Sequence, residues 1–379
     1  MLRDYFADRQ REILALTRAL VESESPSGSE SGSKAVVSLL AAAARSITTV
    51  STIERIPAEN YGEHLRIHAF GSSRNKPRTI LILGHTDTVH SFGSLQKRPW
   101  RVEGNCAYGP GIYDMKANCA LAIEAIRACS SLNLTPQSPL VLLLTCDEET
   151  GSHSGRALVE AEARRARAVL VLEPPAVGGG AKTGRKGTGI FTLEAFGRAA
   201  HAGLEPEKGV SAILELARQI ERLHAMNDPA SGVTVNVGVM QGGTLSNVVA
   251  AEARAEIDFR FTNNEQGAKI ENKILQLRPF DTRARLVVRG GINRPPLERT
   301  EAVLALYEQA RALAAAIDYE LGEAQVGGAS DGNFAAAIGA PVLDGLGIAG
   351  DGAHAAHEHI SLDDIPVRGA LLAGLVATV

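Results

Sequence analysis

Histidines and carboxylates recur in short stretches of this chain, separated by long intervals. His85 and Asp87 lie in "GHTDTV", and Asp114 lies in "GPGIYDMKAN". Glu148 and Glu149 lie in "CDEETG", Glu173 in "LEPP" and His354 in "GDGAHAAHEHI". Imidazole and carboxylate donors without thiolates suit zinc or another divalent metal in a hydrolytic site. These groups are too many for one tetrahedral zinc. They fit two metals sharing a bridging carboxylate, roughly 3.5–4 Å apart. So many acids in one cleft would repel one another, and two divalent cations would neutralise them. The adjacent Glu148 and Glu149 can divide the labour, one binding metal and the other taking a proton from the attacking water. Each stretch also has a plainer reading. "DEE" reads as a solvated turn, Asp114 as a cap for the helix after it, and His354, His357 and His359 as a surface cluster.

What favours chemistry is where these residues fall. "TILILG" (79–84), "LVLLLTC" (140–146) and "AVLVLE" (168–173) are aliphatic runs that read as buried parallel strands. Each leads into ionisable residues. In an open α/β sheet, ligands collect at the carboxyl ends of the strands. Groups far apart in sequence can therefore converge. A helix at 115–131 separates the first two strands, and helices at 8–21 and 33–46 precede them, joined by the loop "SPSGSESGS".

The character changes near residue 180, where "VGGGAKTGRKG" reads as a basic, glycine-rich hinge. Beyond it the strands "GIFTLEAFG", "VTVNVGVM", "ARAEIDFRFT" and "ARLVVRG" alternate apolar and polar residues, with helices at about 209–226 and 265–277. This β-α-β-β-α-β order is that of a ferredoxin-like unit. A helix at 301–316 then returns to the α/β pattern. The expected fold is α/β, a mostly parallel sheet with flanking helices, interrupted by a smaller α+β domain. Residues 1–180 and 295–379 would form the first and 181–294 the second.

The 379 residues carry a net charge of −4, which leaves no basic footprint for nucleic acid. No apolar run reaches the roughly 18 residues of a membrane span, and the charged, amphipathic N-terminus does not read as a signal peptide. The four cysteines form no CxxC pair, which excludes a zinc ribbon, and nothing in their spacing resembles a disulfide framework, so a reducing cytoplasm is the expected location, with Cys146 a buried, inert thiol.

Taken together, "GHTDTV", "GPGIYDMKAN", "CDEETGSHSG", "LEPP", "GRAAHAGLEPEKG", "GGTLSNVV", "IDFR", "GGASDGNF" and "GAHAAHEHI" resemble the co-catalytic zinc peptidase family. That family holds glutamate carboxypeptidase, aminoacylase, acetylornithine deacetylase and succinyl-diaminopimelate desuccinylase. The resemblance runs from "SPSG" to the C-terminal helix. It implies two Zn2+ ions, with Co2+ or Mn2+ as substitutes. His85 and Glu173 would share one ion, Glu149 and His354 the other, and Asp114 would bridge them. His354 is chosen over His357 by its spacing to Glu358. Asp87 would orient His85, and Glu148 would be the general base. The resemblance also implies a cis peptide between Asp114 and Met115.

The inserted domain would be a lid and dimerisation domain. Its His201 would reach the partner subunit's site and stabilise an oxyanion. Asn247 and Arg260 would bind the substrate carboxylate, for which an arginine fork is suited, unless Arg260 is spent on a surface ion pair. Ser330, Gly327 and Gly328 would line the leaving-group pocket with backbone donors. Lys182, Arg185 and Lys186 could offer a further cation or simply be solvated. The lid resembles those of glutamate carboxypeptidases, which implies release of a C-terminal glutamate from an N-acyl or peptidyl substrate. An N-acyl-amino-acid deacylase is the alternative. A non-catalytic metal-binding dimer is the third reading, and it has no need of Glu148.

Overall fold

The computed structural model describes residues 1–71 and 78–379. The chain divides into two compact units. Residues 1–184, 299–326 and 330–379 form the larger, and residues 185–298 with 327–329 form the smaller.

The larger unit is built on a six-stranded sheet. Its order is Val50–Ala58, Gly62–Ala69, Leu140–Thr145, Thr79–His85, Ala166–Val171, Val342–Leu343. The last four strands are mutually parallel, and the first two pair antiparallel. The aliphatic runs are buried on both faces because side chains alternate along a strand. Ile80, Ile82, Leu140, Leu142, Leu144 and Leu170 join the main apolar cluster. Leu81, Leu83, Val141, Leu143 and Val169 point the other way and are equally buried. The helix Ala117–Ser131 is apolar almost all round and sits inside that cluster with the C-terminal helix Asp364–Thr378.

Helices are observed at Gln10–Glu22, Glu30–Arg45, Ala212–His224, Asn264–Leu275 and Glu301–Ala315, within a few residues of the expected spans. Four of them begin where a side chain accepts a first-turn N–H: Ser29, Ser211, Asn263 and Thr300. The strands Val50–Ala58 and Gly62–Ala69 were not expected from the sequence. Val50–Ala58 lies at the sheet's edge and is largely solvent-facing, so its apolar pattern is weak.

The supposed hinge is a correction. Ala181–Arg185 is a strand, and Thr183, Gly184 and Arg185 are buried. Thr183 Oγ1 donates to Glu323 at 2.6 Å. Arg185 Nη1 donates to the Gly328 carbonyl at 3.1 Å. Its guanidinium is therefore not a solvated cation.

The smaller unit is an antiparallel sheet ordered Thr234–Gly242, Glu252–Phe261, Gly187–Phe196, Arg285–Arg294. Numbered along the chain, that is second, third, first, fourth, the ferredoxin-like arrangement. In its core Phe259 stacks on Phe261 and meets Phe191 at a tilt, beneath the helices Ala212–His224 and Asn264–Leu275.

Candidate metal centre

His85 is the last residue of the strand Thr79–His85. Glu148 and Glu149 form a single helical turn after Leu140–Thr145, and Glu173 follows Ala166–Val171. These three strands are adjacent and parallel, so their carboxyl ends open on one edge of the sheet. Asp114 lies in the wide turn Ile112–Lys116 with non-helical backbone angles. It does not cap the following helix, whose N-cap is Lys116. The Asp114–Met115 peptide is cis. Met115 is fully buried over Gly84, where an added Cβ would come within 2.6 Å of its methyl carbon. A larger residue than glycine there would require the Met115 side chain to move.

The five expected ligands converge. Asp114 Oδ1 is 3.1 Å from His85 Nε2, and Asp114 Oδ2 is 3.4 Å from His354 Nε2. His85 Nε2 is also 3.5 Å from Glu173, and His354 Nε2 is 3.2 Å from Glu149. One carboxylate thus faces two imidazoles, each with its own second acid. His357 points elsewhere, 3.9 Å from Asp351.

The donors fit a divalent metal. Ligand atoms of His85, Asp114 and Glu149 all lie within 4.8 Å of one another. Glu149 Oε1 is buried without a hydrogen-bond partner, which is costly unless a cation meets it. The acids outnumber the imidazoles, and the charges respond. The hydrogen bonds of Asp114 and then Glu149 hold the His354 pKa up at about 10. Burial pushes the His85 pKa down, but contacts with Asp114, Asp87 and Glu173 outweigh it and raise it well above its ordinary value. Burial raises the Glu149 carboxyl. For Asp114 burial acts upward too, but His354 and His85 win and hold it below the usual carboxylate range.

Asp87 differs in detail from its expected role. His85 Nδ1 meets the backbone oxygen of Asp87 at 3.0 Å, while the carboxylate is 3.5 Å away. The Asp87 oxygens instead accept from the amides of Glu148 and Glu149, at 3.2 Å each, and from the Ser27 hydroxyl at 2.6 Å. Asp87 therefore orients the glutamate turn as much as the imidazole. Ser27 was read from the sequence only as part of a serine-rich loop. Its hydroxyl spacing carries no periodic signal.

The remaining expected residues are distributed over both units. Ser330 is fully buried in the larger unit. Its hydroxyl donates to Asp344 at 2.7 Å and its amide to Asn333 at 3.0 Å. The expected backbone donor at Ser330 is thus already engaged, which corrects that reading. His201, Asn247, Arg260 and Gly328 belong to the smaller unit. His201 and Asn247 are exposed, and the Asn247 carbonyl accepts from Ala202 at 2.9 Å. The Arg260 fork makes two 2.8 Å hydrogen bonds to Asp258.

A cluster of imidazoles and carboxylates at one edge of a mostly parallel sheet suits a metal-dependent hydrolase, and sequence comparison points to the same class. The chain belongs to the peptidase family M20/M25/M40, whose model matches residues 81–378. Members of this family are metal-dependent hydrolases. Carboxypeptidase G2 of Pseudomonas sp. (strain RS-16) is 29% identical over 378 residues, 97% of this chain and 89% of that protein. Succinyl-diaminopimelate desuccinylase of Verminephrobacter eiseniae (strain EF01-2) is 29% identical, covering 78% of this chain and 77% of its own. The solved M20 family metallo-carboxypeptidase from Sulfolobus solfataricus superposes with a TM-score of 0.75 at 16% identity, covering 97% of this chain and 98% of that one. Aminopeptidase PepT from Bacillus cereus ATCC 10987 gives a TM-score of 0.74 at 22% identity, with 97% and 98% covered. At these identities the structures bear on the fold alone.

Proposed function

We propose that the protein is a dinuclear zinc carboxypeptidase that hydrolyses an amide bond and releases a C-terminal amino acid, with glutamate the favoured leaving group. The observation that carries this reading is Asp114, whose two oxygens face His85 and His354 while Glu173 and Glu149 stand beside those imidazoles. Metal ions held there supply Lewis acidity, lowering the pKa of water and polarising the scissile carbonyl. Glu148, which ligates nothing in this assignment, takes a proton from the attacking water and delivers it to the leaving amine nitrogen. Asp87 keeps the Glu148 turn in place through the amide hydrogen bond at 3.2 Å. His201 of a second subunit would stabilise the oxyanion, and Asn247 and Arg260 would bind the substrate carboxylate. The homodimer in this reading forms through the smaller unit.

The alignment to carboxypeptidase G2 over 97% of this chain supports the carboxypeptidase reading, and the preference for glutamate rests on the resemblance of the inserted domain to glutamate carboxypeptidase lids. The alignment to a desuccinylase over 78% of the chain supports an N-acyl-amino-acid deacylase as the second reading. Amino-acid release by zinc-loaded protein from pteroyl-glutamate, N-acetyl-glutamate, N-acetyl-ornithine and a neutral dipeptide separates them. Fast release from pteroyl-glutamate is expected. Preference for the N-acetyl substrates would replace the carboxypeptidase with the deacylase. Glu148→Gln should lower kcat about 10²- to 10⁴-fold while metal content stays at the wild-type value. Full hydrolysis by that variant would remove Glu148 as the base.

A further inference from the structure

Asp114 and His354 sit on two loops that spring from paired strands. Cys106–Tyr108 leads into the Asp114 turn, and His359–Ser361, its antiparallel partner, follows the His354 loop. At the root of both loops lies Glu358, 2% exposed. Glu358 Oε1 accepts from the backbone amides of Tyr113 at 2.9 Å and Asp114 at 3.0 Å. Oε2 accepts from the Gly111 amide at 2.8 Å and from His90 Nε2 at 2.6 Å. Gly111, at φ 71°, turns the chain so that these successive amides face one anion. Arg98 closes the network. Its Nη2 donates to His90 Nδ1 at 3.2 Å and its Nη1 to the Ala355 carbonyl at 3.1 Å. Arg98 can only donate, so His90 Nδ1 is its acceptor and Nε2 is left to donate to Glu358.

We infer that Glu358 is a positioning residue of the metal centre: oriented by His90 and Arg98, its carboxylate fixes the Asp114 turn against the His354 loop. Both of its oxygens are taken by donors, so it acts through Asp114 and His354 and not as a ligand. Asp114 has to present one oxygen to each imidazole, and a small rotation of its backbone would misdirect both. Four donors on one buried carboxylate resist that rotation. Arg98 adds a tether from the same network to Ala355, the residue next to His354. Glutamine at position 358 would turn an acceptor into a donor facing N–H groups and release one side of the turn. The inference rests on the reading of His85, Asp114, Glu149, Glu173 and His354 as metal ligands.

The test is metal binding by the full chain, stripped with a chelator and titrated with Zn2+ against a chromophoric competitor. The visible spectrum of the Co2+ form reports ligand geometry. Glu358→Gln should weaken Zn2+ binding about 10- to 100-fold and change the Co2+ spectrum, with native circular dichroism retained. Arg98→Met keeps the carboxylate and should give a loss near the lower end, about 10-fold. It decides the matter if Glu358→Gln does not fold. Folded variants with wild-type Zn2+ affinity and an unchanged Co2+ spectrum would overturn the inference, whatever their melting temperature. A wild-type protein that binds neither ion would overturn the ligand assignment itself.

Discussion

Asp114 stands between two imidazoles, and the proposed metal chemistry rests on that placement. The acids around it act on the neighbouring imidazole, and the hydrogen bonds of Asp114 and then Glu149 hold the His354 pKa up at about 10. A second feature at this scale concerns Arg260. Its fork is closed by Asp258 in a pair that is about one-third exposed on the arginine side. If Arg260 binds the substrate carboxylate as proposed, that carboxylate has to displace Asp258, and a pair so exposed is worth about 0–1 kcal/mol. Asp258→Asn removes the competing charge. KM for a carboxylate substrate should then fall about 2- to 5-fold with kcat little changed, as steady-state kinetics would show. An unchanged KM would detach Arg260 from substrate binding. The sequence pattern "IDFR" carries both residues, two apart on one strand and so on one face, which is why the ion pair was a foreseeable alternative.

At the scale of elements, the buried helix Ala117–Ser131 ties the N-terminus to the site. Tyr5, on the helix Leu2–Asp8, donates to Glu124 at 2.9 Å, and Arg9 donates to the same oxygen at 2.9 Å. Burial, reinforced by Glu124, pushes the Tyr5 phenol up to about 12. The sign follows directly. The unfolded chain loses this proton near pH 10, the folded chain near 12, so the native state holds more protons in between. Stability contributed here is intact below pH 10 and is lost as the pH climbs towards 12. Melting temperatures measured from pH 9 to 11 should fall, and Tyr5→Phe should flatten that slope. Equal slopes in the two proteins would remove Tyr5 as a source. The central strands were legible for a related reason. Burial on both faces demands unbroken aliphatic runs, and few other structures do. The edge strand Val50–Ala58 has no such demand, and it went unread.

For the whole molecule, the proposed dimer predicts complementation. A subunit carrying Glu148→Gln still supplies His201, and one carrying His201→Ala still supplies Glu148. If His201 serves the partner's site, mixing equal amounts after subunit exchange should restore about a quarter of wild-type activity, from the one intact site of each heterodimer under twofold symmetry. Activity that stays at the sum of the two parents would place His201 outside the site. Residue types and their order along the chain marked the class of chemistry, the α/β fold and the candidate imidazoles and carboxylates, while the division of five of them into a ligand set came from the family resemblance. Strand ends are marked by local pattern, and parallel strands bring their carboxyl ends to one edge. Tertiary structure alone decided the rest. Asp87 is divided between His85 and the glutamate amides, Ser330 is turned inward to Asp344, Arg185 lies inside a strand, and Glu358 gathers three amides and His90. Those outcomes depend on which donors meet which acceptors once the backbone is closed. A hydrogen bond spanning 244 residues, such as that from Asp114 to Glu358, leaves no periodicity in the sequence to read.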